Sequence, residues 1–273
     1  MRGIRTLKTV SDNLSSIELP SLRRPSVKPD EPKTEELIRW GICMFVYSLI
    51  AHMQKILAGL VALAEVENVA ATAPLCRHVF EWTALSCYLT RRLTDLFTKH
   101  DWDEAWALLT KAALGSDWAG KYGSKYSGDP PVKLPVEIPG PVRVGRAVEE
   151  YEKYQTENSM EPEAKDSYSL LCDFAHPNAA CLLRYQAPEE NGTVIRFVDP
   201  DQDTQQETFL PFVNCCLIDL LFFIDELLKL ANESTVRPKV KLVLDELAAA
   251  ARQAAARRQA AASSTFNGII KAG

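Results

Sequence analysis

The sequence holds few of the residue patterns that build metal or disulfide sites. Seven cysteines occur in 273 residues, an odd number with no CxxC spacing, and the four histidines form no HxxxH pair. A structural zinc site needs close pairs of such ligands, so we expect no metal and no other cofactor. The cysteine usage, and the lack of a charged, apolar and small-residue leader pattern at the start, predict a reducing, cytoplasmic location.

No uninterrupted apolar run in the chain has the length of a membrane span. Residues 41–64 are the most apolar stretch, but His52, Gln54 and Lys55 divide it. Each resulting run is far shorter than the roughly 18 apolar residues that a span needs. We therefore interpret this stretch as a buried helix of a bundle.

The composition is that of a globular protein with a sizeable core. Apolar residues make up 47% of the chain and charged residues 25%, which excludes collagen-like, disulfide-scaffold and wholly disordered proteins. The net charge of −5 is unevenly distributed: the balance is +3 over residues 1–33, −13 over 34–235 and +5 over 236–273. The acidic middle part is a poor general surface for nucleic acid, although a local basic cleft could exist within it.

These balances, together with proline content, divide the chain into three parts. Residues 1–33 hold four prolines and are predicted to be a mobile N-terminal arm. Residues 34–235 are predicted to form one helical bundle domain, and residues 236–273 a basic, Ala-rich C-terminal helix and tail. Attraction between this basic helix and the acidic body of another molecule would give a homo-oligomer or capture a partner protein.

Helical periodicity and capping patterns predict a mainly α fold. Thr34 followed by Glu35 and Glu36 marks a helix start, with acids where the helix dipole favours them. The strand-like residues 182–186 and 193–198 flank an Asn-Gly pair and predict one small β-hairpin insertion. The expected bundle has about seven helices, over residues 34–67, 69–92, 101–114, 144–156, 161–176, 205–231 and 236–262.

The second predicted helix carries charges among apolar residues. Arg77 and Glu81 lie four residues apart and therefore share a face of that helix. A buried guanidinium stays charged and a buried carboxylate is costly unless hydrogen-bonded, so these residues should meet each other or other polar groups. They could form an internal ion pair that only fixes helix register, or part of a functional site.

The fifth predicted helix presents a second group of polar residues. Tyr168, Cys172 and His176 recur at four-residue spacing, just before the break expected at Pro177. A helix C-terminus favours a charged histidine, and a partly open ring there suits proton transfer near neutral pH. His176 could equally cap the last carbonyl groups or bond to Glu81. The other three histidines are interpreted as structural.

Residues 76–89, CRHVFEWTALSCYL, and residues 167–178, SYSLLCDFAHPN, resemble uncharacterised all-helical bacterial families described as HEPN-like or abortive-infection-like. The family pattern matches at Arg77, Glu81, Tyr168 and His176, and Cys172 stands where a serine is usual. The resemblance covers residues 35–235. HEPN ribonucleases carry their Arg and His a few residues apart on one helix, and this chain departs from that spacing.

The resemblance implies a helical bundle and, for the wider HEPN group, metal-independent RNA cleavage across a dimer. Arg77, Glu81, Tyr168 and His176 are then the expected catalytic residues. In that activity His176 would act as the base on a ribose 2′-OH, and Arg77 would stabilise charge on the phosphorus centre. A role in antiviral defence or as a toxin follows from the same resemblance. A non-catalytic protein-interaction module and a small-ligand sensor remain alternatives.

Overall fold

A computed structural model describes residues 2–25, 31–114, 142–175, 186–189, 194–197 and 209–272 of the chain. The described part is a helical bundle, which confirms the mainly α prediction. Its helices are α1 (Arg2–Ser15), α2 (Glu35–Glu65), α3 (Val69–Lys99), α4 (Trp102–Leu114), α5 (Val144–Glu157), α6 (Ala164–Ala175), α7 (Leu210–Leu230) and α8 (Arg237–Ala272). The predicted helices correspond to α2 through α8, and their ends differ from the predicted ones by up to ten residues, at the end of α8.

Side-chain caps fix where several of these helices begin. The Thr34 hydroxyl accepts a hydrogen bond from the backbone N–H of Leu37 at 3.3 Å, as the sequence pattern predicted for α2. Asp101 plays the same part for α4, since its carboxylate accepts from the N–H of Glu104 at 3.1 Å. These bonds satisfy N–H groups that have no partner within the first turn of a helix.

The long helix α3 is the centre of the bundle, and it packs against α2, α4, α5, α6 and α7. Two threonine hydroxyls tie it to α7. The hydroxyl of Thr83 lies 3.1 Å from the carbonyl oxygen of Cys216, and that of Thr90 lies 3.5 Å from the carbonyl oxygen of Phe223. Both pairs are 133 residues apart in sequence, so α3 and α7 run in the same direction.

The prediction of a mobile arm over residues 1–33 is wrong for its first half. Residues 2–15 form α1, and Leu7, Val10, Leu14 and Ile17 are buried in the main core. These positions recur every three or four residues, which is the spacing of one helical face. The four prolines all follow residue 19, so a composition averaged over the whole arm hides a helix that ends before them.

The C-terminal segment is also more closely attached to the bundle than the sequence suggested. Val236, Val240 and Leu247 are buried in the same core as the other helices, whereas residues 251–257 of α8 are exposed. The carboxylate of Glu233 accepts from the N–H groups of Val236 and Arg237, each at 2.8 Å, and so caps the start of α8. The first part of α8 is therefore an element of the bundle.

The predicted β-hairpin insertion is not supported with the boundaries that the sequence suggested. Two strands, β1 (Gln186–Glu189) and β2 (Val194–Phe197), pair antiparallel with Gln186 opposite Phe197. The first predicted strand, residues 182–186, shares only Gln186 with β1. The predicted Asn191-Gly192 turn lies outside the described residues, as does the stretch 115–141 between α4 and α5.

Helix α2 contains the apolar stretch that the sequence analysis tested as a membrane span. Among the described helices it alone has the length and composition to cross a membrane, and 44% of its most apolar window is buried inside the bundle. A core helix of a soluble helical bundle has the same length and composition.

Candidate polar site and cavities

The structure brings together three of the four expected catalytic residues. Arg77 Nε donates to Glu81 Oε1 at 2.8 Å, one turn further along α3. Arg77 Nη2 donates to the Tyr168 hydroxyl on α6 at 3.3 Å, and the guanidinium carbon lies 5.4 Å from the centre of the Tyr168 ring. His176 lies outside the described residues, so its contact with this cluster stays a prediction.

The Arg77–Glu81 pair is partly accessible to solvent. The side chains of both residues are 23% exposed, so the pair is neither sealed in the core nor fully solvated. Burial opposes the charge of Arg77, but the hydrogen bond and the negative charge of Glu81 outweigh it and raise the arginine pKa. A permanently charged guanidinium is thus held in a fixed position that a ligand can reach.

Tyr168 is held by an aromatic contact as well as by Arg77. Its ring stacks on Phe80 of α3, with centroids 5.9 Å apart and planes inclined by 21°. Burial raises the Tyr168 pKa, and Cys172 adds to this effect, whereas the charge of Arg77 opposes it. The hydroxyl therefore keeps its proton at neutral pH and can donate it in a hydrogen bond.

A histidine pair that the sequence analysis set aside as structural lies next to this cluster. His52 Nε2 on α2 is 2.7 Å from His78 Nε2 on α3, and Trp82 Nε1 donates to the same His78 atom at 2.9 Å. Burial and the neighbouring His52 lower the His78 pKa, although Glu81 opposes this. The four-residue spacing of His78 and Trp82 was visible in the sequence, but the contact with His52 joins two helices and was not.

Glu81 connects the two groups. Besides binding Arg77, it lines a small cavity of about 140 Å³ together with His78 and Trp82, at the start of α5. A carboxylate, an arginine and an imidazole of α3 and a tyrosine hydroxyl of α6 are therefore linked through Glu81 and Arg77. Such a set can transfer a proton and stabilise a negative charge.

A larger cavity of about 630 Å³ opens between α3, α5, α6 and α7, and most of its lining side chains are apolar, among them Phe80, Leu171 and Phe212. Its polar lining includes Gln155, Glu163 and Ser167, as well as a hydrogen bond from the Tyr151 hydroxyl to Asp219 Oδ2. Burial raises the Asp219 pKa, although the bond from Tyr151 lowers it in part. In the sequence Asp219 stands out only as a charge within an apolar helix.

Within the described ranges, no group of three or more His, Cys, Asp or Glu side chains is arranged to hold a metal ion. Comparison of the chain with protein-family models, with curated proteins and with solved structures gives no match. The resemblance to HEPN-like families therefore depends on the two short motifs around Arg77 and His176 alone.

Proposed function

We propose that this chain is a HEPN-like bacterial defence or toxin-type protein that cleaves RNA without a metal ion at the Arg77, Glu81, Tyr168 and His176 positions. The observation that carries the proposal is the Arg77 guanidinium, which Glu81 and Tyr168 hold in place while it stays accessible. A fixed cation near a phosphodiester stabilises the charge that builds up on phosphorus.

In the proposed reaction a base removes the proton of a ribose 2′-OH. The 2′ oxygen then forms a bond to the adjacent phosphorus, the bond from phosphorus to the 5′ oxygen breaks, and a proton passes to that leaving oxygen. His176 is the base, as the motif match implies, and the protonated Tyr168 hydroxyl, which contacts Arg77, gives a proton to the leaving oxygen. The products are a 2′,3′-cyclic phosphate and a 5′-OH, and no other reactant is needed.

The test is cleavage of a mixed RNA substrate by the purified chain with EDTA present. Loss of a general base typically lowers the rate roughly 10²- to 10⁴-fold, which we expect for His176→Ala. Arg77→Ala should also lose activity, while Arg91→Ala, which removes an α3 arginine paired with Glu157 at 2.6 Å, is the matched control. Equal cleavage by all variants, or no cleavage by the parent chain, would overturn the proposal.

A variant of His78 separates the two candidate bases. If His176 is the base, His78→Gln should keep most of the activity. If His78→Gln loses RNA cleavage and His176→Ala keeps it, the general base belongs to the His52–His78 pair instead. Circular dichroism of each variant at the assay temperature shows whether any loss reflects unfolding.

The 630 Å³ cavity favours a second candidate function, that of a small-ligand sensor. Its volume lies within the roughly 300–1,000 Å³ of typical ligand pockets, and a mainly apolar wall that includes the carboxyl groups of Asp219 and Glu163 suits an apolar molecule that carries a hydrogen-bond donor. The test compares the rise in thermal midpoint that aromatic amines cause with the rise caused by hydrocarbons of the same shape that lack the amine. Leu171→Trp fills the cavity and should abolish any shift without affecting RNA cleavage.

Self-association through α8 and a cytoplasmic location remain part of the proposal. Arg252 and Arg257 are exposed on α8, beyond its buried first part, and could contact the acidic body of another molecule. Sedimentation of the parent chain and of the Arg252→Glu, Arg257→Glu double variant at low and high salt tests the association. A monomer under all conditions would contradict it.

A further inference from the structure

A third cavity, of about 370 Å³, lies between α3, α4 and the start of α5, and its charged lining is unbalanced. Arg92, Lys111, Arg143 and Arg146 line it, against the single carboxylate of Glu104. Among the described residues, the lining thus holds three more positive than negative charges, in the part of the chain whose overall balance is −13. We refer to this site as the cationic cavity.

The four cations of the cationic cavity differ from other basic residues on the same helices. Within the described residues, Arg91 on α3 pairs with Glu157 at 2.6 Å, and Lys153 on α5 lies 3.9 Å from Glu157. Arg92, one residue after Arg91, makes no ion pair with any described residue, and neither do the other three cations. Arg146 only lies over the Tyr88 ring, 5.5 Å from its centre. Like charges this close together repel one another unless an anion binds between them.

The start of α5 adds backbone donors to the same place. Arg143 is the N-cap residue of α5, no side chain caps this end, and the first turn holds no acidic residue. The positive end of the helix dipole therefore has no carboxylate within its own first turn, and helix N-termini of this kind bind phosphates. At Gly145 an added Cβ would meet nothing within 4 Å, so a ligand can approach this turn of backbone closely.

We propose that the cationic cavity binds a small polyanion with adjacent phosphates, of the nucleoside triphosphate or tripolyphosphate class. An excess of three positive charges and a helix N-terminus match a ligand with three or four negative charges. The four cations surround one cavity, whereas a nucleic-acid strand needs cations spread along an extended path. This binding does not depend on RNA cleavage at Arg77.

The test is isothermal titration of the full chain with tripolyphosphate, with a nucleoside triphosphate, and with single-stranded RNA of increasing length. We expect both small polyphosphates to bind and the affinity to fall as salt rises. Equal affinity for the two assigns recognition to the phosphates alone, and tighter nucleoside triphosphate binding adds a contact to the nucleoside. Both results support the proposal. Binding of RNA alone, growing with its length, would overturn it.

Variants test whether the residues of the cationic cavity bind the polyphosphate. The Arg143→Gln, Arg146→Gln double variant should bind tripolyphosphate roughly tenfold or more weakly, because charge-assisted hydrogen bonds are lost. The control is Lys153→Gln, Lys165→Gln, which removes the same number of exposed charges from α5 and α6 and should change the affinity less than about twofold. All four substituted residues are exposed, so folding should be retained. Equal affinity in the two double variants, or no binding by the parent chain, would overturn the proposal.

Discussion

Trp82 Nε1 donates a hydrogen bond to His78 Nε2, the same atom that lies 2.7 Å from His52 Nε2. An atom that accepts from the indole cannot carry a proton, so His78 is neutral and His52 is the donor within the pair. The pair therefore resists protonation of His78, in agreement with the lowered pKa of that residue.

The lowered His78 pKa predicts that the chain loses stability as the solution becomes acidic. Below the ordinary histidine pKa the unfolded chain binds a proton that folded His78 does not, so the free energy of unfolding falls as pH drops from about 7.5 to 5.5. Urea unfolding across this range should show a smaller fall for His78→Gln. His100→Asn, which removes an exposed histidine ring, is the control. An unchanged slope in His78→Gln would contradict the neutral state.

Glu81→Gln should destabilise the chain only moderately. The substitution replaces a hydrogen bond between two opposite charges by one in which only Arg77 is charged, in a pair that is 23% exposed on both sides. We expect the free energy of unfolding to fall by about 1 kcal/mol, between the values for surface pairs and for buried charged bonds. Glu226→Gln, which weakens the more exposed pair with Lys229, is the control. An effect no larger than that of the control would show that the Arg77 contact is not stabilising.

Asp219 should have the opposite dependence on pH from His78. Its pKa is raised by burial, so folding favours the protonated carboxyl. The stabilisation is fully present below the ordinary pKa of 3.8 and is lost as pH rises through the raised value. Asp219→Asn should therefore raise the thermal midpoint more at neutral pH than at about pH 4, and the exposed Asp95→Asn is the control. The same gain at both pH values would argue against a raised pKa.

Leu7→Ala tests whether α1 belongs to the core. Leu7 is fully buried, and removing its side chain should lower the free energy of unfolding by about 2–4 kcal/mol, the usual cost of such a cavity. The adjacent Lys8→Ala removes an exposed side chain that lies 3.7 Å from Glu65 and should cost less than about 0.5 kcal/mol. Urea unfolding measures the free energy of unfolding of both variants. If residues 2–15 were a mobile arm, both substitutions would lower it by equally small amounts.

Local signals in the sequence predicted most of the helices, because they act within a few residues. The caps at Thr34 and Asp101 and the acids of the first turn of α2 are of this kind. The pairing of Arg77 with Glu81 follows from helix spacing in the same way. The partner Tyr168 was found through motif resemblance, since 91 residues separate it from Arg77.

Features that join distant segments could not be predicted in this way. The contact of His52 with His78 depends on how α2 packs on α3, which no spacing within one helix reveals. The cationic cavity combines residues of three helices, and its charge is masked by the acidic balance of the surrounding chain. Helix α1 was missed for a different reason, because its apolar stripe was averaged with the prolines that follow it.

The two threonine contacts between α3 and α7 repeat after seven residues on both helices, from Thr83 to Thr90 and from Cys216 to Phe223. A seven-residue repeat is that of a left-handed coiled coil, in which two helices keep the same faces together along their length. One residue inserted into α7 between Cys216 and Phe223 would turn all later side chains by about 100° and separate one threonine from its carbonyl. Seven inserted residues make nearly two full turns, so the later side chains would again point towards α3. Where α7 packs on α3, its length can therefore change in evolution by seven residues more readily than by one.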